Sequence, residues 1–169
     1  PESADAYTAR GRAHRARGDL VSAVKDWTRA LKIHPQHLVA RYNRARAYRD
    51  LGHSDKAMEE LTQTLRENPR FHLPYGLLGV IFAEKGDTDR AMKAYSKSLQ
   101  LHPDYAFAYI GRAAVRFKLD QPKLAFQDLD EAVRSAPEDY APYLNRGEAR
   151  LRSGDREGAL SDFKVLLDP

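Results

Sequence analysis

Apolar and polar positions along this chain repeat with a period of 34 residues. Each period holds two stretches in which apolar residues recur three and four positions apart, the spacing of one helix face. In the third period, Tyr75, Leu78 and Phe82 form the first stripe, and Tyr95 and Leu99 belong to the second. The pattern therefore predicts two amphipathic helices in every period.

Glycine and proline mark where these helices end. The recurring prolines are Pro35, Pro69, Pro103 and Pro137, and the recurring glycines are Gly18, Gly52, Gly86 and Gly154. In the fourth period Asp120 replaces the glycine, because aspartate tolerates the left-handed conformation, and Pro122 opens the next helix. The predicted repeats are 4–37, 38–71, 72–105, 106–139 and 140–169, and the last is about four residues short.

A fixed period of this length is typical of a solenoid, in which each unit buries its apolar face only against its neighbours. The third repeat carries the ordered residues Tyr75, Leu78, Gly79, Phe82, Ala91, Tyr95 and Pro103. In this order of residue types the chain resembles the tetratricopeptide repeat family over nearly its whole length. The resemblance implies an all-α fold, a right-handed superhelical solenoid of antiparallel helix pairs. We expect a single domain over 1–169, as a fragment of a longer protein.

An arginine and an acidic residue recur 16 positions apart in four repeats. The pairs are Arg10 with Asp26, Arg44 with Glu60, Arg112 with Asp128, and Arg146 with Asp162. The third repeat lacks both members, with Leu78 and Ala94 in their places. This joint loss predicts that the two positions touch as a partly buried guanidinium–carboxylate bridge. We interpret these arginines as structural, because an unpaired buried charge costs several kcal/mol.

Composition narrows the class of function. Zero cysteines exclude a disulfide framework and thiolate metal sites, and no apolar stretch is long enough to span a bilayer. No nucleophile–base pair, phosphate loop or helical metal motif is visible, so we expect no enzyme activity, no cofactor and no metal. No secretory leader is visible before the first repeat, and we expect a cytoplasmic location.

The family resemblance implies that the first helix of each repeat lines a concave groove that binds partners. The predicted groove residues are Arg12, Tyr42, Asn43, Arg46, Arg49, Leu73, Leu77, Val80, Phe107, Ile110, Phe117, Leu144 and Asn145. Such a groove is basic at one end and apolar in its middle. Burial between helices is the competing interpretation for the apolar members, whereas an exposed apolar strip favours a partner site.

We expect a protein–protein interaction scaffold whose ligand is an extended or amphipathic helical peptide, acidic at one end. The family's clamp for acidic chaperone peptides is not expected, since only Asn43 of its residues is kept. Self-association is an alternative, because the last helix carries Leu160, Phe163 and Leu167 with no polar closing helix after it. RNA binding is a weaker alternative that rests on the pI of 9.3 and the basic first repeats; we do not expect nucleic acid to bind.

Overall fold

The structure is a computed structural model that describes residues 3–167. Over that range the chain forms ten α-helices and no strand. The helices are α1 (Ala4–Ala16), α2 (Leu20–Ile33), α3 (Leu38–Asp50), α4 (Ser54–Glu67), α5 (His72–Glu84), α6 (Thr88–Leu101), α7 (Ala106–Lys118), α8 (Pro122–Ser135), α9 (Tyr140–Arg152) and α10 (Arg156–Val165). The predicted all-α class, with two helices in each repeat, is confirmed.

The turn inside each pair has the conformation that its sequence predicts. Glycines 18, 52, 86 and 154 have φ between 79° and 89°, and Asp120 has φ 55°. An added Cβ at Gly18 would meet nothing within 4 Å, so the left-handed backbone and not crowding favours glycine there. In the first and third pairs an aspartate then caps the second helix: the Oδ1 of Asp19 accepts from the amide of Ser22 at 3.0 Å, and the Oδ1 of Asp87 accepts from the amide of Arg90 at 2.9 Å.

Helix contacts divide the chain into two compact units, residues 1–81 and residues 82–169. The predicted single domain over 1–169 stays a prediction, as does its superhelical arrangement. The ends of that predicted domain, 1–2 and 168–169, lie outside the described residues.

The core of the first unit is built around Trp27, which is fully buried among the alanines of α2 and α3. Its indole Nε1 donates to the carbonyl oxygen of Thr8 at 3.2 Å. Gly11 lies against the same ring, and an added Cβ there would stand 2.7 Å from Nε1. A glycine is therefore needed so that α1 can approach the tryptophan.

The core of the second unit also combines small and large apolar residues, and Tyr95 within it is 2% exposed. Ala113, Ala125, Leu129 and Ala149 form its buried cluster, and Phe126 packs against them. Close approach recurs at Gly147, where an added Cβ would stand 2.5 Å from the ring of Phe163. Small residues at the helix contacts bring the backbones together in both units.

The four predicted arginine bridges are present in the structure. Arg10 binds Asp26 through two bonds of 2.7 Å, and the shortest nitrogen–oxygen distances in the other pairs are 2.5 Å for Arg44, 2.6 Å for Arg112 and 2.6 Å for Arg146. The bond from Arg10 lowers the pKa of the Asp26 carboxyl. The Arg10 bridge is partly buried, as predicted, since the Asp26 side chain is 9% exposed and the Arg10 side chain is 61% exposed.

Three of these arginines also donate a hydrogen bond to a residue 16 positions earlier in the chain, in the second helix of the preceding repeat. Arg44 donates to Thr28 at 3.1 Å, Arg112 to Ser96 at 3.2 Å, and Arg146 to Asp130 at 2.8 Å. Each of these arginines therefore ties three helices together, which the pairing pattern in the sequence did not predict.

Candidate functional site

Positions two, five, nine and twelve of each repeat lie on one side of its first helix, and position five is the least exposed of them. Steps of three and four residues place these positions on one side of a helix. In the first unit the face of α1 and α3 carries four arginines, which we call the basic face: Arg12, Arg15, Arg46 and Arg49. In the second unit, positions two, five and twelve of α7 and positions five and twelve of α9 carry large apolar residues, which we call the apolar face: Phe107, Ile110, Phe117, Leu144 and Leu151.

The basic face has more cations than carboxylates. Asp50 binds two of the four arginines, Arg15 at 3.1 Å and Arg49 at 2.7 Å. Arg12 and Arg46 make no ion pair or hydrogen bond to any residue between 3 and 167. Two guanidinium groups therefore point an uncompensated charge toward solvent on this face.

Polar contacts join α1 to α3 and set these arginines side by side. Nε2 of His37 lies 3.1 Å from Asp5 and 3.5 Å from the hydroxyl of Thr8, both on α1. Nδ1 of the same ring accepts from the amide of Ala40 at 3.3 Å and so caps α3. Together with the Arg15–Asp50 pair, these contacts fix the register of the two helices.

Several large side chains of the apolar face are exposed to solvent. Phe107 is 41% exposed, Phe117 is 36% exposed and Leu151 is 54% exposed. Ile110 is half-buried and packs against the core of the second unit, and Leu144 is also half-buried. Exposed large apolar residues that share one side of a helix are candidates for contact with a partner.

A cleft of about 280 Å³ opens beside the apolar face, which we call the edge cleft. It is lined by Phe117, Pro122, Phe126, Ala149, Arg152 and Ser153. The rings of Phe117 and Phe126 stand edge to face in its wall, with centroids 5.4 Å apart and planes at 89°. Sequence reasoning missed every lining residue except Phe117, because the cleft is formed by residues from different helices.

Two predicted groove residues lie in the core of the first unit. Leu77 is only 2% exposed and packs in a cluster with Ala45 and Leu61. Tyr42 is 9% exposed in the same cluster, with its ring edge-on to Phe71 at 6.0 Å. The prediction that these two side chains line a groove is wrong, because their helices bury these positions against neighbours.

The remaining predicted residues keep part of their surface. Leu73 is half-buried against the core of the first unit, and Val80 is half-buried. Asn43 is half-buried and, among residues 3–167, has no hydrogen-bond partner. Asn145 is engaged by its own helix, since its Nδ2 donates to the carbonyl of Ala141 at 2.8 Å. The part of these residues in partner binding stays a prediction.

Two further features bear on the kind of site. In the described part of the chain, no group of three or more histidine, aspartate or glutamate side chains could hold a metal ion. None of the helices between residues 3 and 167 has the length and apolar content needed to cross a bilayer.

Comparisons with known proteins bear on the family and the fold of the chain. Two family models described as tetratricopeptide repeat match residues 4–37 and 42–106. A thermophilic tetratricopeptide repeat protein of Thermus thermophilus, TTC0263, is 23% identical over 97% of this chain and 90% of its own, with a TM-score of 0.87. The pilF protein of Pseudomonas aeruginosa is 18% identical over 96% of this chain and 74% of its own, with a TM-score of 0.80. MamA is 23% identical over 94% of this chain and 92% of its own, with a TM-score of 0.68.

Proposed function

This chain belongs to the tetratricopeptide repeat family, and we propose that it captures a partner peptide or helix on the exposed face of its first helices. Proteins of the family are in general protein–protein interaction scaffolds and are typically non-catalytic. The observation that carries the proposal is the exposure of Phe107 and Phe117 on α7, although the inner positions of that helix are buried. Burying such rings against a partner is favourable, at about 25 cal/mol per Å².

The apolar face sets the chemistry of one part of the ligand. Phe107, Ile110 and Phe117 follow one another at helical spacing along α7, and Leu151 adds an exposed side chain from α9. An extended segment or an amphipathic helix with apolar anchors matches a strip of this kind. The anchors would supply most of the affinity, because buried apolar residues dominate such interfaces.

The basic face sets the chemistry of another part. Arg12 and Arg46 have no carboxylate partner among residues 3–167, whereas Arg15 and Arg49 share Asp50. Acidic residues of the partner would complement the two unpaired guanidinium groups. Such exposed pairs add rate and specificity more than affinity.

The test is capture of partner protein from a lysate of the source cells by the immobilised chain. Phe107→Asp should abolish capture, since it places a charge in the apolar contact, and Arg46→Glu should weaken it. Val21→Asp is the matched control, because Val21 is 57% exposed on α2 and lies outside both faces. Capture that survives Phe107→Asp together with Arg46→Glu would refute the proposal.

A second candidate function is self-association through α10. Leu160 is 57% exposed and Leu167, just beyond the helix, is 78% exposed. Phe163 is half-buried with its ring against Gly147 and would not contribute. Sedimentation velocity over a range of concentrations tests this function. We expect the chain to associate, and we expect Leu160→Asp to abolish that association. A monomer at every concentration would exclude self-association.

A further inference from the structure

We propose that the edge cleft of the second unit is an anchor site for one bulky apolar side chain of the partner, with carboxylates on either side of that side chain. The inference deepens the proposed function and rests on it. It adds a specific ligand chemistry at residues that lie mostly outside the apolar face.

The size and walls of the cleft select a single large apolar side chain. A volume of about 280 Å³ lies below the range of sites for whole small molecules. The rings of Phe117 and Phe126, which stand edge to face against each other, line the cleft together with Pro122 and Ala149. Aromatic and aliphatic side chains pack well against walls of this kind.

Three cationic residues either line the cleft or adjoin its lining residues in the chain. Arg152 lines the cleft and its side chain is 80% exposed, with one contact of 3.1 Å to Glu148 on the same helix. Lys118 ends α7 and Lys123 lies in the first turn of α8, next to Pro122, and both are exposed. Neither lysine makes an ion pair or hydrogen bond within residues 3–167.

Most nearby carboxylates already have partners in the protein. Asp128 is held between Arg112 at 2.6 Å and Arg116 at 2.7 Å. Asp155 caps α10 by accepting from the amide of Gly158 at 2.9 Å. Asp120 is the one acidic residue in the α7–α8 turn. The cleft therefore has apolar walls, and the residues at it and next to it in the chain carry more cations than unpaired carboxylates. Its complement is an apolar side chain flanked by acidic ones.

The test titrates the full chain, labelled with ¹⁵N, with the capped peptide Ac-EEWEE-NH2. Shift changes should concentrate at the backbone amides of residues that line the cleft, such as Phe126, Ala149 and Ser153. The peptide Ac-EEAEE-NH2 should bind at least about tenfold more weakly, because it loses the buried ring. The peptide Ac-KKWKK-NH2 should bind roughly fivefold more weakly, because it meets these cationic residues with like charge.

Variants of the protein test the same two features. Ser153→Trp should fill the cleft and abolish the shift changes. Arg152→Glu should weaken Ac-EEWEE-NH2 and strengthen Ac-KKWKK-NH2. Arg134→Glu is the matched control, because Arg134 is 73% exposed with a same-helix contact to Glu131, near the other end of α8. Equal binding of the three peptides, or shift changes away from the cleft, would overturn the proposal.

The anchor site and the proposed function can fail separately. Phe107 belongs to the apolar face and does not line the cleft. If Phe107→Asp leaves capture of the partner intact while Ac-EEWEE-NH2 still binds at the cleft, the apolar face is wrong and the anchor site stands. If Phe107→Asp abolishes capture while the peptide fails to bind, the anchor site alone is wrong.

Discussion

The exposed faces of α1 and α3 in the first unit and of α7 and α9 in the second are built from equivalent positions of the same repeat, yet their chemistry differs. Position nine is Arg12 and Arg46 in the first unit, and Ala114 and Glu148 in the second. Position two of α7 is Phe107, which is 41% exposed, whereas the same position of α1 is Asp5. Most of the side chains at positions two and nine are exposed, so the two units can present different surfaces there.

The inner positions of the two units, by contrast, make similar contacts. Arg44 and Glu60 in the first unit make the same kind of bridge as Arg112 and Asp128 in the second, with the same spacing of 16 residues. A buried charge must find its partner at every copy, because leaving it unpaired is costly. Similarity inside and divergence outside indicate which positions hold the helix pair together and which are available to a partner.

The largest expected effect tests whether the bridges are equally important in both units. Asp128→Ala should lower the free energy of unfolding by about 3 kcal/mol, because it leaves Arg112 and Arg116 largely buried without their carboxylate. Asp26→Ala should cost clearly less, since the Arg10 side chain is 61% exposed and can be hydrated. Urea unfolding followed by circular dichroism measures both. Equal losses would show that the exposure of the arginine does not matter.

A second comparison concerns the close approach of helices. Gly11→Ala should cost about 2 kcal/mol, because the new Cβ would meet a Trp27 ring that is fully buried and hydrogen-bonded. Gly147→Ala should cost less, since Phe163 is only half-buried and can shift. Thermal unfolding of the two variants distinguishes them, and a larger loss for Gly147→Ala would contradict this account.

Once a partner has been identified, the salt dependence of binding can distinguish the contribution of the apolar face from that of the basic face. Phe107→Ser should weaken binding by roughly tenfold at low and high ionic strength alike, because apolar contact is not screened. Arg46→Ser should weaken it by roughly fivefold at low salt, and the effect should vanish near 1 M salt, where the screening length is about 3 Å. Titration calorimetry at two salt concentrations measures both. The same salt dependence for the two variants would remove the distinction between the faces.

The smallest effect concerns acid. The hydrogen bond from Arg41 lowers the pKa of the Glu67 carboxyl in the first unit. A lowered pKa adds stability above the unfolded-state value of about 4.3, and that stability is lost as the pH falls through the folded-state value. Between pH 5 and pH 3, Glu67→Gln should therefore lose less stability than the parent chain, by under about 1 kcal/mol. Identical pH profiles would show that this bond does not contribute.

Much of the fold follows from local residue patterns. The glycines of the turns and Asp120 predicted the left-handed ends of the first helices, and each has positive φ in the structure. The spacing of arginine and aspartate predicted the bridges. These predictions succeed because helix ends and contacts within one helix pair depend on residues less than one repeat apart. The 34-residue period also repeats the same residue pattern in several copies, so each pattern can be checked against the others.

The sequence by itself therefore determined the helices, their turns and the pairing of buried charges, because each is decided by neighbours within one helix pair. Only the tertiary structure decided which apolar residues face solvent. Leu77 and Phe107 are both large apolar residues on a first helix, yet one is 2% exposed and the other 41%. The edge cleft likewise exists only where α7, α8 and α9 meet. Exposure depends on how closely other helices approach, and residue spacing along one helix carries no information on that distance.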